Sequence, residues 1–153
     1  MRHTLTTHNE NPEDTDLQLA LADIALRYRL MVIYAFGSRA DQIAEPLRDG
    51  GAEERDSGAD LDIAVLPLPG HPLRASARVS LALELEDLFD VCRVDLVILP
   101  EADPFLAANI VRGARLYARD SHAADEYDLY VLRRAGDLAP LERQRMALLL
   151  GEE

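Results

Sequence analysis

Three short apolar runs rich in β-forming residues constrain the fold more than any other feature of this sequence. They are "LMVIYAF" at 30–36, "LDIAVL" at 61–66 and "RVDLVIL" at 93–99. Each run is followed closely by glycine or proline and is too short for a buried helix, so each predicts a buried β-strand.

Helical patterns separate and follow these strands. Apolar residues recur at helical spacing up to Tyr28, again over 73–90, and again over 103–113. The last segment has Asp103 as a candidate N-cap and Gly113 just past its end, the usual asymmetry of a short helix. Strands that alternate with helices predict an α/β domain of two or three layers.

The two ends of the chain differ from this core. Residues 1–16 are polar and lack periodicity, which predicts a flexible N-terminal arm that ends at Asp16, a candidate N-cap. Residues 17–120 form the predicted domain, and 121–153 a helical C-terminal extension of two stretches broken near 136–140. We therefore expect one compact domain with a helical tail.

Two connecting segments complete the prediction. Residues 39–59 are polar and glycine-containing, and they predict a short helical start followed by a long exposed loop. "ARLYAR" at 114–119 predicts a short edge strand.

Composition excludes several classes of protein. The formal net charge is −12, from 16 Lys plus Arg against 28 Asp plus Glu, and this argues against free nucleic acid as a partner. The single cysteine, Cys92, allows no intrachain disulfide. Since no apolar run approaches the roughly 20 residues of a spanning helix and the N-terminus is polar, we expect a soluble, cytoplasmic protein with no membrane partner.

Acidic residues occupy one face of two predicted strands. Side chains alternate along a strand, so Asp60 and Asp62 share a face, and Asp95 lies on the corresponding face of its own strand. The residues predicted to pack on the opposite faces are Leu61, Ile63, Val65, Val94, Leu96 and Ile98.

Three carboxylates would converge if these two strands were neighbours in a sheet. Like charges about 4 Å apart repel by about 4 kcal/mol at an effective dielectric near 20. Raised pKa values or bound divalent cations are the two usual ways to offset that repulsion, and a set of hard oxygen ligands suits Mg²⁺ or Mn²⁺. Two such ions on three carboxylates form a clamp for in-line phosphoryl displacement.

The segment "YAFGSRAD" at 34–41 offers a place for the phosphates of a nucleotide. Gly37 leaves the strand and permits close backbone approach, and Ser38 offers a hydroxyl at a point where a helix can begin. Arg39 could add a charged donor. A Gly-Ser turn or an acid at the start of a strand, taken singly, commonly has only a structural role, and so does the D-x-D at 14–16 in the polar arm. Their combination in this order favours a nucleotide-binding and metal-binding site.

That combination resembles the DNA polymerase beta nucleotidyltransferase superfamily, whose signature is a strand, Gly-Ser, a helix, Asp-x-Asp on the next strand and a third Asp on a later one. The matching residues are Gly37-Ser38, Asp60 to Asp62 and Asp95. Within it, the sequence is most similar to the minimal nucleotidyltransferase (MNT) group, small prokaryotic proteins often encoded beside a HEPN-domain partner.

The resemblance implies a nucleotidyltransferase fold, a small mixed β-sheet flanked by helices, and a set of roles. Gly37 and Ser38 would grip the β- and γ-phosphates of an NTP, Asp60 and Asp62 would ligate both metals, and Asp95 would hold the catalytic metal and activate the acceptor hydroxyl. All three acids would be catalytic. The reaction would move a nucleoside monophosphate, AMP if the donor is ATP, to an acceptor and release pyrophosphate. In toxin–antitoxin members the acceptor is a tyrosine hydroxyl of the HEPN ribonuclease.

Two alternatives stay open at this point. The chain could be a weak or inactive binding module that neutralises a partner by contact, because Asp41 and Gln42 stand where the group usually has Arg and Gly. A D-x-D glycosyltransferase would leave the Gly-Ser element unexplained. The base preference, the acceptor and the oligomeric state are not determined by the sequence.

Overall fold

The computed structural model describes residues 12–38, 40 and 60–151, which build a sheet with helices on both faces. In chain order the elements are α1 (Pro12–Tyr28), β1 (Leu30–Phe36), β2 (Leu61–Pro67), α2 (Ala75–Phe89), β3 (Val94–Ile98), a 3-10 turn (Leu99–Glu101), α3 (Pro104–Val111), β4 (Ala114–Ala118) and α4 (Ser121–Leu149).

The four strands form one mixed sheet in the order β3-β2-β1-β4. β1 is antiparallel to both β2 and β4, whereas β2 and β3 are parallel. The α/β class, the small mixed sheet and the edge position of β4 are therefore confirmed. The three strands expected at 30–36, 61–66 and 93–99 are also confirmed to within one or two residues at their ends.

Both faces of the sheet are buried, which explains why β1 reads as a continuous apolar run. On one face Ile33 and Ile63 pack with Leu21 of α1 and Leu81 of α2. The opposite face packs against α3 and α4 through a second cluster that includes Val32, Tyr34, Ala64, Ile110 and Val131. Of the two arrangements left open, the structure has the three-layer one.

Helix α1 begins earlier than the sequence pattern predicts. It starts at Pro12 rather than after Asp16, with Glu13 and Asp14 in its first turn. Proline is well tolerated in the first turn of a helix, and acidic residues there interact favourably with the helix dipole, so polarity alone was a poor sign of an unstructured arm. The rest of the predicted arm, 1–11, lies outside the described residues, as does the predicted loop 39–59 apart from Ala40.

The predicted break in the C-terminal extension is wrong. α4 is a single helix of 29 residues with Gly136 and Pro140 inside it. Proline removes one intrahelical hydrogen bond, but the bonds on either side of it hold the backbone helical. The first half of α4 belongs to the core, where Ala124, Val131 and Ala135 are buried, and the second half contains no buried residue.

Within the described part of the chain, no helix has the length and apolar character needed to cross a membrane.

Candidate active site

The three acids predicted as site residues lie at one end of the sheet. Asp62 pairs in register with Phe36 of β1 on one side and with Asp95 of β3 on the other. Asp60 is exposed and immediately precedes β2. β2 and β3 are neighbours, which is the condition for the acids to converge, and alternation places Asp60, Asp62 and Asp95 on the same face of the sheet.

The turn after β1 brings the predicted Gly-Ser element against Asp62. Gly37 has φ +79°, in the left-handed region that favours glycine, and a Cβ built there would lie 2.5 Å from Oδ2 of Asp62. The Ala40 N–H donates to the Gly37 carbonyl at 3.3 Å and closes the turn, leaving Ser38 exposed. Arg39, the predicted third phosphate contact, lies outside the described residues.

Asp62 is the electrostatic centre of this end of the sheet. Partial burial, then the charge of Asp95, then that of Asp60, raise the pKa of the Asp62 carboxyl above its usual value. All three causes disfavour the ionised form. The site therefore holds negative charge that a bound cation would relieve.

Arg93 is a member of the site that was missed in the sequence. Its Nη2 lies 3.0 Å from Oδ1 of Asp95, and the two side chains are 67% and 42% exposed. A signal was present, because residues two apart in a strand share a face and "RVD" places Arg93 beside Asp95. The Arg93 guanidinium neutralises part of the charge of the Asp95 carboxylate.

The chemistry of these side chains fits the divalent metal that the resemblance implies. Carboxylate oxygens are the ligands that Mg²⁺ and Mn²⁺ prefer, and the pKa of Asp62 is raised first by partial burial and then by the charges of Asp95 and Asp60. Among the residues that the structure describes, however, no three His, Cys, Asp or Glu side chains are already placed to hold an ion. Binding a metal would require the acids to turn toward it and Asp95 to share or leave its pairing with Arg93.

A partly buried network links the sheet to α4. The hydroxyl of Tyr34, a fully buried residue of β1, donates to Oδ1 of Asp128. Arg115 of β4 reaches Oδ2 of Asp128 at 2.6 Å and Oδ1 of Asp125 at 2.9 Å. Burial and the Asp128 charge raise the pKa of Tyr34, so the phenol stays protonated as a donor. Strand periodicity gave no sign of the Tyr34–Asp128 hydrogen bond, because the two residues are 94 positions apart in the chain.

The fold is shared with solved toxin–antitoxin structures. One, a toxin–antitoxin with AMP-PNP, aligns with a TM-score of 0.64 at 22% identity and covers 87% of this chain and 98% of its own. Another comes from a tri-AMPylated Shewanella oneidensis HEPN toxin in complex with an MNT antitoxin (TM-score 0.62, 21% identity, 90% and 98% covered). At this level of identity, the similarity is one of fold.

Sequence comparison identifies the family. No curated protein is significantly similar to the chain. The family model described as "Polymerase beta, Nucleotidyltransferase" matches residues 20–122, more than half of the chain and the whole segment from Gly37 to Asp95. That match agrees with the order of elements and with the acids at one end of the sheet, and the chain belongs to the polymerase beta nucleotidyltransferase family.

Proposed function

We propose that this protein is a Mg²⁺-dependent nucleotidyltransferase that moves AMP from ATP to a hydroxyl group of a partner protein in the cytoplasm. The observation that carries the proposal is the position of Asp62. It lies between the Gly37 turn and Asp95, and both Asp60 and Asp95 act on its charge. Carboxylates beside a glycine turn suit phosphoryl transfer better than binding alone.

The proposed reaction follows from the groups at this end of the sheet. An acceptor hydroxyl attacks the α-phosphorus of ATP, a new P–O bond forms, the bond from that phosphorus to the bridging oxygen breaks, and pyrophosphate leaves. Asp95 accepts the hydroxyl proton as general base. Gly37 and Ser38 hold the departing phosphates, and Arg39 adds a cationic donor.

Asp60, Asp62 and Asp95 would hold the divalent ion. When bound, such an ion stabilises charge on the phosphoryl oxygens and orients the triphosphate. The three carboxylates would supply the negative charge that attracts the ion.

A HEPN-type protein is the proposed partner and acceptor. A solved relative in fold is a complex in which a HEPN toxin is tri-AMPylated, which supports transfer to that class of protein. The last part of the chain also exposes several apolar side chains that a protein partner could cover. They are Leu141, Met146, Leu148 and Leu149 of α4, and Leu150 just after it.

A direct assay tests the proposal. The protein, ATP and Mg²⁺ are incubated with the product of the adjacent gene, and the mass of that product is measured intact. We expect the addition of one or more adenylyl groups by the native chain and none by Asp62→Asn. No mass change with the native chain, under conditions where the two proteins bind each other, would contradict the proposed reaction.

A second candidate function is neutralisation of the partner by contact alone. It is favoured by the engagement of Asp95 with Arg93 and by the absence, among the described side chains, of a ready-made metal set. The same Asp62→Asn variant separates the two functions. If the variant still neutralises the partner protein, neutralisation depends on contact alone. If the variant no longer neutralises it, neutralisation depends on AMP transfer.

A further inference from the structure

A cationic cavity lies at the end of the sheet opposite the acids. Leu30 of β1 pairs with Pro67 at the end of the sheet where the cavity lies. Phe36 pairs with Asp62 at the end where the acids lie, six residues or about 20 Å away along β1. The cavity has a volume of about 410 Å³, within the size range of small-ligand sites. It is bounded by the C-terminus of α1 and the N-terminus of α2, so it is separate from the candidate active site.

The wall of this cavity carries basic side chains. Arg27, Arg29, His71 and Arg74 line it, and among the residues that the structure describes no Asp or Glu does. Arg27 is neutralised by ion pairs with Asp23 and Glu84. Arg29 and Arg74, in contrast, form no ion pair with a carboxylate of the described residues, in a chain where acids outnumber bases by 28 to 16.

Arg29 and His71 are already arranged as a pair of donors. Nη1 of Arg29 lies 2.9 Å from Nδ1 of His71. Because a guanidinium can only donate, Nδ1 accepts, and the proton of the neutral ring is on Nε2, where it can be donated to a ligand. Arg29 also has φ +55°, a left-handed conformation that glycine would adopt at lower cost.

The start of α2 adds to the positive potential of the same wall. Arg74 is the N-cap of this 15-residue helix, its side chain does not cap any backbone N–H, and the first turn contains no acidic residue. Ser76 and Ala77 of that turn line the cavity. The positive end of the helix dipole therefore lies beside the arginines and His71.

We propose that this cavity binds a small phosphate-class oxyanion through Arg29, His71, Arg74 and the first turn of α2. Arginine suits this ligand because its planar fork matches phosphate oxygens in pairs. A cavity that combines basic side chains with a helix N-terminus favours an anion over a neutral or cationic ligand. Free inorganic phosphate or pyrophosphate, or the phosphate of a nucleotide, would present the same chemistry.

Titration calorimetry with the full chain tests the proposal. The ligands are phosphate, pyrophosphate and AMP, in EDTA so that no divalent ion bridges a ligand to the acids. We expect saturable binding that Arg74→Ala and Arg29→Gly each weaken by about tenfold or more, the loss typical of one charge-assisted contact. Arg29→Gly also relieves the left-handed strain, so a folding defect is not expected to explain its loss.

Two controls make the result decisive. Arg133→Ala removes one exposed positive charge elsewhere on the surface and should leave the affinity unchanged. Asp62→Asn should not weaken binding, which would place the ligand away from the acids. If AMP binds more tightly than inorganic phosphate, the natural ligand is a nucleotide. If inorganic phosphate binds more tightly than AMP, the natural ligand is a free anion. No saturable binding of any of the three ligands, or an equal loss in Arg133→Ala, would overturn the proposal.

Discussion

Gly37 and Asp62 are in close contact: a Cβ at position 37 would lie 2.5 Å from Oδ2 of Asp62, so the carboxylate would have to move to admit it. The turn after β1 and the acid in β2 are therefore one unit, although 24 positions separate them in the sequence. This contact links the proposed phosphate-binding element to the proposed metal ligand.

Gly37→Ala should disturb that unit. The left-handed backbone alone costs an alanine about 1–2 kcal/mol of stability, and the added methyl must also displace the Asp62 carboxylate. We expect a lower free energy of unfolding and a loss of Mg²⁺-ATP binding, measured by urea denaturation and calorimetry. Gly70→Ala is the matched control, because Gly70 has φ +78° but nothing within 4 Å of its Cβ position. If both variants bound Mg²⁺-ATP equally well, the contact would have no functional role.

Asp62→Asn should stabilise the metal-free protein at neutral pH. The folded-state pKa of Asp62 is raised, so the folded protein holds this proton more tightly than the unfolded chain does. Ionised Asp62 therefore opposes folding at neutral pH, and this penalty disappears as the pH falls toward the ordinary value of 3.8. In EDTA we expect a higher melting temperature for the variant than for the native chain, with the difference narrowing at lower pH.

Added Mg²⁺ should reverse this order, because the ion stabilises only a protein that can bind it. The melting temperature of the native chain should rise with Mg²⁺ and that of Asp62→Asn should not. Asp87→Asn, an exposed substitution on α2, should behave as the native chain does in both tests. A native melting temperature that does not respond to Mg²⁺ would count against a metal site here.

Arg93→Ala should free Asp95 for a metal. Exposed ion pairs contribute only about 0.2–1 kcal/mol, so the variant should keep its stability. If the guanidinium competes with a metal for the Asp95 carboxylate, the affinity for Mn²⁺ should rise by up to about fivefold, as measured by electron paramagnetic resonance. Arg143→Ala, an exposed change on α4, should leave the affinity as it is. Weaker Mn²⁺ binding in Arg93→Ala would mean that Arg93 assists the site.

Tyr34→Phe should weaken the attachment of α4 to the sheet. The substitution removes the donor to Asp128, but Arg115 still pairs with that carboxylate, so we expect a loss of about 1–2 kcal/mol in unfolding free energy. A double-mutant cycle with Asp128→Asn should give a coupling energy of at least about 0.5 kcal/mol. Additive losses would show that the two side chains act independently.

The sequence by itself determined the strands and the face of the sheet on which the three acids lie. Alternation at period two placed Asp60, Asp62 and Asp95 on the face opposite Leu61, Ile63 and Val65, and the structure keeps this arrangement. Local signals were equally reliable at α3, where Asp103 accepts hydrogen bonds from the N–H groups of Phe105 and Leu106. These features depend on neighbouring residues, and their physical causes are therefore present in the sequence.

The tertiary structure decided which distant segments of the chain are in contact. The pairing of β2 with β3, the contact of Gly37 with Asp62 and the ion pairs of Arg115 depend on how distant segments meet. Packing also overrode local propensity in α4, whose first half is held by the core, so that Gly136 and Pro140 do not end the helix. The cavity at Arg29 and His71 has the same origin, because its two walls come from helices that a strand pair brings together.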